Sequence, residues 1–144
     1  MRRTILLVVL AVGLCHAAAN SLKQDTLKDY ITNGTPFDFI LIDVRAAREI
    51  EAGIGNGNCK PYNLKWPLQF KVESAKIPKD QTIIVYCLSG GRSHAAAAYL
   101  NSRGYSRVYD AGAFLTWNGP TVPPSDFKSA SLLPGPSMLA NAGK

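Results

Sequence analysis

Long apolar runs are missing from this chain. The longest, residues 5–14, is ten residues, about half of what a membrane-spanning helix requires. Basic clusters are missing too. The 16 Lys and Arg outnumber the 10 Asp and Glu, but they are scattered, which argues against a nucleic-acid partner and favours a small anionic ligand. Histidine is nearly absent, with only His16 and His94. Three cysteines, Cys15, Cys59 and Cys87, are too few for a disulfide scaffold. No internal repeat is found. What remains is the composition of one globular domain with a reactive thiol as its best candidate for chemistry.

The first 19 residues have the layout of an export signal. Arg2 and Arg3 precede the apolar run, and Cys15-His16-Ala17-Ala18-Ala19 supplies small residues for cleavage, expected between Ala19 and Asn20. Residues 1–19 are therefore set apart as a signal peptide, 20–122 as the domain, and 123–144 as a tail. Without Arg2 and Arg3 the formal charge of +6 falls to +4. The expected location is the periplasm or the secreted space, with no stable membrane insertion after cleavage.

Within the domain, apolar runs alternate with helical patterns. Residues 21–34 read as a helix with Leu27, Tyr30 and Ile31 on one face and Asn33-Gly34 as its stop. Residues 37–44 and 82–87 are almost continuously apolar, as strands covered on both faces must be. Residues 46–52 suit a short helix, 53–58 a turn-rich loop, and 62–64 a short strand; helical potential follows to Lys76. A helix over 93–103, closed by Gly104, leads to a last strand over 106–109. The alternation predicts an α/β fold, a small parallel sheet of about five strands with helices on both faces. After Trp117 the chain is rich in Pro, Ser, Gly and Ala and reads as an extended tail, poorly ordered beyond about residue 127.

Ligands of parallel α/β sheets bind beyond the carboxyl ends of the strands. Cys87 ends the second strong strand, and a glycine-rich turn leads from it into a helix: Cys87-Leu88-Ser89-Gly90-Gly91-Arg92-Ser93. The N–H groups of Leu88, Ser89, Gly90, Gly91, Arg92 and Ser93 can curl around the sulfur, with the glycines supplying the backbone freedom. Those donors, the helix N-terminus and the Arg92 guanidinium all favour a thiolate. Cys87 is the candidate nucleophile and residues 88–93 the candidate substrate loop. His94 follows on the helix and is expected on its surface.

At these residues the chain resembles the rhodanese-type sulfurtransferases, whose active loop reads Cys-x-x-Gly-x-Arg-Ser. Asp43-Val44-Arg45 followed by Glu49 is similar to another segment of that family, as are Gly104-Tyr105 through Tyr109 and on to Trp117. The resemblance spans about residues 21–122 and is to the exported single-domain type, such as the small periplasmic rhodaneses of bacteria. It implies a double displacement. A Cys87 thiolate takes the outer sulfur of a donor such as thiosulfate, and a cyanide or thiol acceptor removes it from the persulfide. It implies no cofactor and no metal, and gives Asp43 and Arg45 a structural ion pair. Loop length separates this chemistry from phosphate chemistry. Cysteine phosphatases, including those similar in fold, enclose five residues between Cys and Arg where this chain encloses four. The smaller ring suits a persulfide sulfur better than a tetrahedral phosphate.

Two departures from the family pattern stand out. Residues 53–63 replace a Gly-His-Ile-x-Gly-Ala segment with a longer loop containing Cys59, either a drifted surface loop or a thiol that reaches Cys87. Asp110-Ala111-Gly112-Ala113 has one glycine where a pair is more usual. The competing functional readings are a sulfur-carrying module acting with a protein partner and a small cysteine phosphatase.

Overall fold

A computed structural model of the protein describes residues 19–135. Its elements follow in chain order as β1 (Asn20–Ser21), α1 (Gln24–Asn33), β2 (Phe39–Asp43), β3 (Gly53–Ile54), β4 (Tyr62–Asn63), α2 (Leu68–Ser74), β5 (Thr82–Cys87), α3 (Gly91–Ser102), β6 (Val108–Ala113) and β7 (Thr121–Val122). Five of the strands form one parallel sheet in the order β1-β6-β5-β2-β4. The expected α/β architecture is therefore present.

The apolar Thr82–Cys87 run occupies the middle of that sheet. β5 is hydrogen-bonded to β2 on one side and β6 on the other, and all six of its residues are buried. A strand in that position has no solvent face, so alternation gives way to a continuous apolar sequence. Its successive side chains diverge to the two faces. Ile83, Val85 and Cys87 enter a core with Phe70 of α2 and Ala96, Ala97 and Leu100 of α3. Ile84 and Tyr86 enter the opposite core with Leu27 and Ile31 of α1. Helices thus cover both faces.

Several boundaries differ from the sequence expectations. Ser21, expected to open the first helix, instead forms an edge strand with Asn20 opposite Tyr109 and Asp110, and α1 begins only at Gln24. Gly34 ends α1 at φ 80°, as its position suggested. The helix expected over 46–52 is a single 3-10 turn, Ala47–Glu49. Arg45 Nη2 draws in the Ala52 carbonyl at 2.8 Å, and the chain leaves extended into β3. Within the expected 53–58 loop, Gly53 and Ile54 pair antiparallel with Val122 and Thr121. The last strand of the sheet runs to Ala113 because a bulge between Val85 and Tyr86 of β5 inserts a residue in β6. Gly112 takes the bulge's left-handed conformation, φ 79°, and its N–H bonds Asp110 Oδ1 at 2.9 Å. One glycine suffices there.

The expectation of a loose tail is corrected as far as residue 135. Lys128 N donates to the Pro61 carbonyl at 2.9 Å, Tyr62 Oη donates to the Leu132 carbonyl at 3.1 Å, and Leu133 is buried in the core of α2 and α3. The Phe127 ring lies against Gly53 so closely that a Cβ there would overlap it and touch the Tyr86 hydroxyl. Pro-rich composition predicts little regular structure, but it does not prevent a segment from docking through a few apolar anchors. The expected signal peptide lies outside the described residues apart from Ala19, which directly precedes β1. The tail beyond residue 135 also lies outside them.

Because Gly53 is where the tail meets the domain, Gly53→Ala is expected to destabilise the fold by about 1–3 kcal/mol through overpacking. Adding Phe127→Ala to that variant should recover part of the loss. Urea unfolding of the two variants checks both halves of the expectation.

Candidate active site

Cys87 sits at the carboxyl end of the central strand with no solvent exposure. Its Sγ accepts hydrogen bonds from Gly90 N at 3.0 Å and Ser93 N at 3.4 Å. The thiol donates to Ser93 Oγ at 3.5 Å, and that hydroxyl donates to the Gly90 carbonyl at 3.1 Å. Gly90 takes φ 103°, the left-handed conformation that reverses the chain and aims its N–H back at the sulfur. Ser93 is fully buried inside the first turn of α3, so its N–H cannot swing away. The N–H groups of Leu88, Ser89, Gly91 and Arg92 have no acceptor among the described residues. Two backbone donors of the loop are directed at the sulfur, an arrangement that stabilises negative charge.

Not every loop residue acts as expected. Leu88 is half-buried and its carbonyl accepts from Leu115 N at 3.2 Å, which ties the loop to the segment after β6. Ser89 and Gly91 are exposed. Arg92 is turned to the side: Nη1 bonds Glu49 Oε2 at 2.7 Å and Nη2 bonds Glu49 Oε1 at 2.8 Å. Glu49 Oε2 also accepts Ala46 N at 2.9 Å. The Arg92 guanidinium, and after it the Ala46 N–H, hold the Glu49 carboxyl down at about 2. Glu49 in turn keeps Arg92 above its ordinary value. Glu49 is thus the partner of the loop arginine, a contact that the sequence reading did not assign. Its only signal was its spacing from Asp43-Val44-Arg45.

Beneath this pair lies a second one. Asp43 and Arg45 are buried together, with Arg45 Nε 3.0 Å from both carboxylate oxygens and Nη2 2.6 Å from Oδ2. Burial opposes the Arg45 charge, and Asp43 more than offsets it, so the guanidinium stays above its ordinary value. The guanidinium also lies 4.5 Å from the Phe114 ring centroid. Burial, and then the Asp43 charge, push the neighbouring Tyr86 phenol well up. Its oxygen stays neutral and accepts Ile54 N at 3.0 Å. The structural ion pair expected of Asp43 and Arg45 is what the geometry holds.

Residues 23–118 match the family of the Rhodanese-like domain. The chain belongs to that family. It is 37% identical over 100 residues to a sulfurtransferase of Allochromatium vinosum, an overlap covering 68% of this chain and 87% of that protein. In fold it is similar to a protein of Anabaena sp., with TM-score 0.60, 22% identity and coverage of 71% of this chain and 82% of that one. It is also similar to a rhodanese-related protein of Thermoplasma volcanium, with TM-score 0.58, 23% identity and coverage of 72% and 97%. A rhodanese-like domain with an intact cysteine loop and a sulfurtransferase relative is a member of the sulfur-transferring branch of chemistry.

Two other candidates fall outside this rhodanese site. His94 is exposed on α3 and its Nδ1 lies 3.8 Å from Asp110 Oδ2. Cys59 packs on the α1 face of the sheet, whereas Cys87 faces α2 and α3, and both thiols are free. Asn56 holds Cys59 in place by accepting its N–H at 2.8 Å while donating to the Ile31 carbonyl at 2.7 Å. Burial pushes the Cys59 thiol up, against the pull of Lys128. The reading of Cys59 as a partner for Cys87 has no support in this arrangement. A cleft of about 460 Å³ runs from Cys59 past Tyr30 and Phe37 to the start of β2, at the far end of the strands from Cys87.

The depressed Glu49 carboxyl has a pH signature. Its folded value of about 2 lies below the ordinary 4.5, so its contribution to stability is complete above about pH 5 and lost as pH falls toward 2. Urea unfolding of wild type and Glu49→Gln should show a constant gap from neutral pH down to about 5. Below that the gap should close as acid removes what the substitution removed.

Proposed function

We propose that this protein is an exported thiosulfate-type sulfurtransferase that works through a persulfide on Cys87. The observation that carries the reading is the pair of N–H groups directed at Cys87 Sγ, Gly90 from the six-residue Cys87–Arg92 ring and Ser93 from the residue after it. In the first half-reaction the Cys87 thiolate attacks the outer sulfur of thiosulfate or a similar donor. A Cys87 Sγ–S bond forms, the donor's S–S bond breaks, and sulfite leaves with the electron pair. The terminal sulfur carries negative charge, and the loop N–H groups of Leu88, Ser89, Gly91 and Arg92, which have no other acceptor among the described residues, would stabilise it. In the second half-reaction a thiophilic acceptor, cyanide or a thiol, attacks that sulfur and restores the Cys87 thiolate.

Because Cys87 is wholly covered, its partners must be slender at the reacting end, as a terminal sulfur or cyanide carbon is. The family, the sulfurtransferase relative and the four-residue spacing between Cys87 and Arg92 support sulfur over phosphate. The export reading rests on the residue pattern before Asn20. Cleavage after Ala19 would leave β1 at the start of the mature chain.

Intact mass before and after thiosulfate, and again after cyanide, tests the proposal. The reduced protein should gain one sulfur atom and lose it to cyanide. Cys87→Ser should abolish the gain while Cys59→Ser leaves it in place. A protein that stays unloaded, or that loads on Cys59, would sink the reading. The same spectrum of protein expressed with its leader reports whether cleavage follows Ala19.

A further inference from the structure

The loop around Cys87 contains one cation, Arg92, and Glu49 neutralises it. Both terminal nitrogens of the guanidinium are engaged by the two carboxylate oxygens. The carboxylate is itself anchored by Ala46 N, so the pair is held from both sides. The buried guanidinium at this end of the sheet, Arg45, is matched by Asp43 through its Nε and Nη2. Arg48 shares the Ala47–Glu49 turn, but it is exposed, and solvent and salt screen a charge there. An incoming donor therefore meets backbone dipoles and the start of α3 with little net positive charge.

That matters because donors differ in charge. Thiosulfate is a dianion approaching a thiolate, and it releases sulfite, which is also highly charged. An alkyl persulfide, R–S–SH, brings at most one negative charge and releases one thiolate. Its transfer balances without oxidant or reductant: the Cys87 thiolate attacks the outer SH sulfur, the Sγ–S bond forms, the donor S–S bond breaks, and R–S⁻ leaves with the pair. The proton stays on the transferred sulfur.

We infer that Glu49 is a specificity-determining residue, which by cancelling Arg92 makes the loop favour low-molecular-weight alkyl persulfides over dianionic thiosulfate. This rests on the Cys87 persulfide reading and names the donor class of that site. Glu49 acts through Arg92 and touches neither the sulfur nor the donor.

The test is the ratio of kcat/KM for thiosulfate to kcat/KM for 2-hydroxyethyl persulfide, whose only ionisable group is the persulfide, with cyanide as acceptor. It is read for wild type, Glu49→Gln, Arg92→Met and the double variant, at low and high salt. Glu49→Gln should raise the ratio about five- to tenfold, chiefly through KM for thiosulfate, as expected for one uncovered charge beside a binding site. Arg92→Met, which leaves Glu49 uncompensated, should lower it by a similar factor. The double variant, neutral again, should return near the wild-type ratio, and added salt should shrink all the differences. Because a ratio is read, general damage to the loop cancels. A ratio that stays constant across the four proteins, or shifts that ignore salt, would overturn the inference and leave the persulfide reading standing. If neither donor places sulfur on Cys87 in the wild type, the persulfide reading itself falls and the inference with it.

Discussion

The buried pair of Asp43 and Arg45 is the constraint around which this end of the molecule is built. With Arg45 1% exposed and Asp43 fully buried, neither charge can turn to water. Removing one partner of such a pair typically costs about 3–5 kcal/mol, because the other is left uncompensated. The pair therefore fixes the chain that carries it. Asp43 Oδ1 accepts the Arg45 N–H at 3.0 Å, and Arg45 reaches on to the Ala52 carbonyl. Asn63 bridges the Asp43 and Arg45 carbonyls at 3.0 and 2.8 Å. The turn between these anchors is where Glu49 stands. The position of Glu49, and through it that of Arg92 at the edge of the Cys87 loop, depends on this buried ion pair.

The site draws its chemistry from backbone rather than side chains. The loop holds one sulfur, two N–H groups directed at it, and four more without acceptors among the described residues. They are held because β5 cannot move between two neighbouring strands, and because α3 starts immediately after the loop. His94, the other titratable side chain at the start of α3, lies exposed and faces Asp110. The charge at the loop's edge is the joint property of Arg92 and Glu49, residues 43 positions apart.

Much of this was legible in the amino-acid sequence, and for a common reason. The central strand, the Cys87 loop and α3 are contiguous, and each is announced by local chemistry: an unbroken apolar run, two glycines, an alanine-rich helix. The stops at Gly34 and Gly104 are equally local, since both take a positive φ that few other residues tolerate. The edge elements were not legible. Asn20–Ser21, Gly53–Ile54 and Thr121–Val122 are two residues each, too short to show a period. Each exists only because a distant strand offers unpaired backbone groups. The tail misled for the same reason: its composition is that of a loose segment, while its order comes from Phe127 and Leu133 meeting surfaces made by other parts of the chain.

The sequence by itself determined the α/β class, the place of Cys87 at a strand end, and the short ring of amides that follows it. Those properties are written in neighbouring residues, whose sterics and hydrogen bonding act over a few positions. Tertiary structure alone decided that Arg92 faces Glu49, that Cys59 and Cys87 lie on opposite faces of the sheet, and that residues 118–135 dock on the domain. Each of these is a meeting of residues far apart in the chain. Only the packing of a sheet with cores on both faces could bring them together or keep them apart.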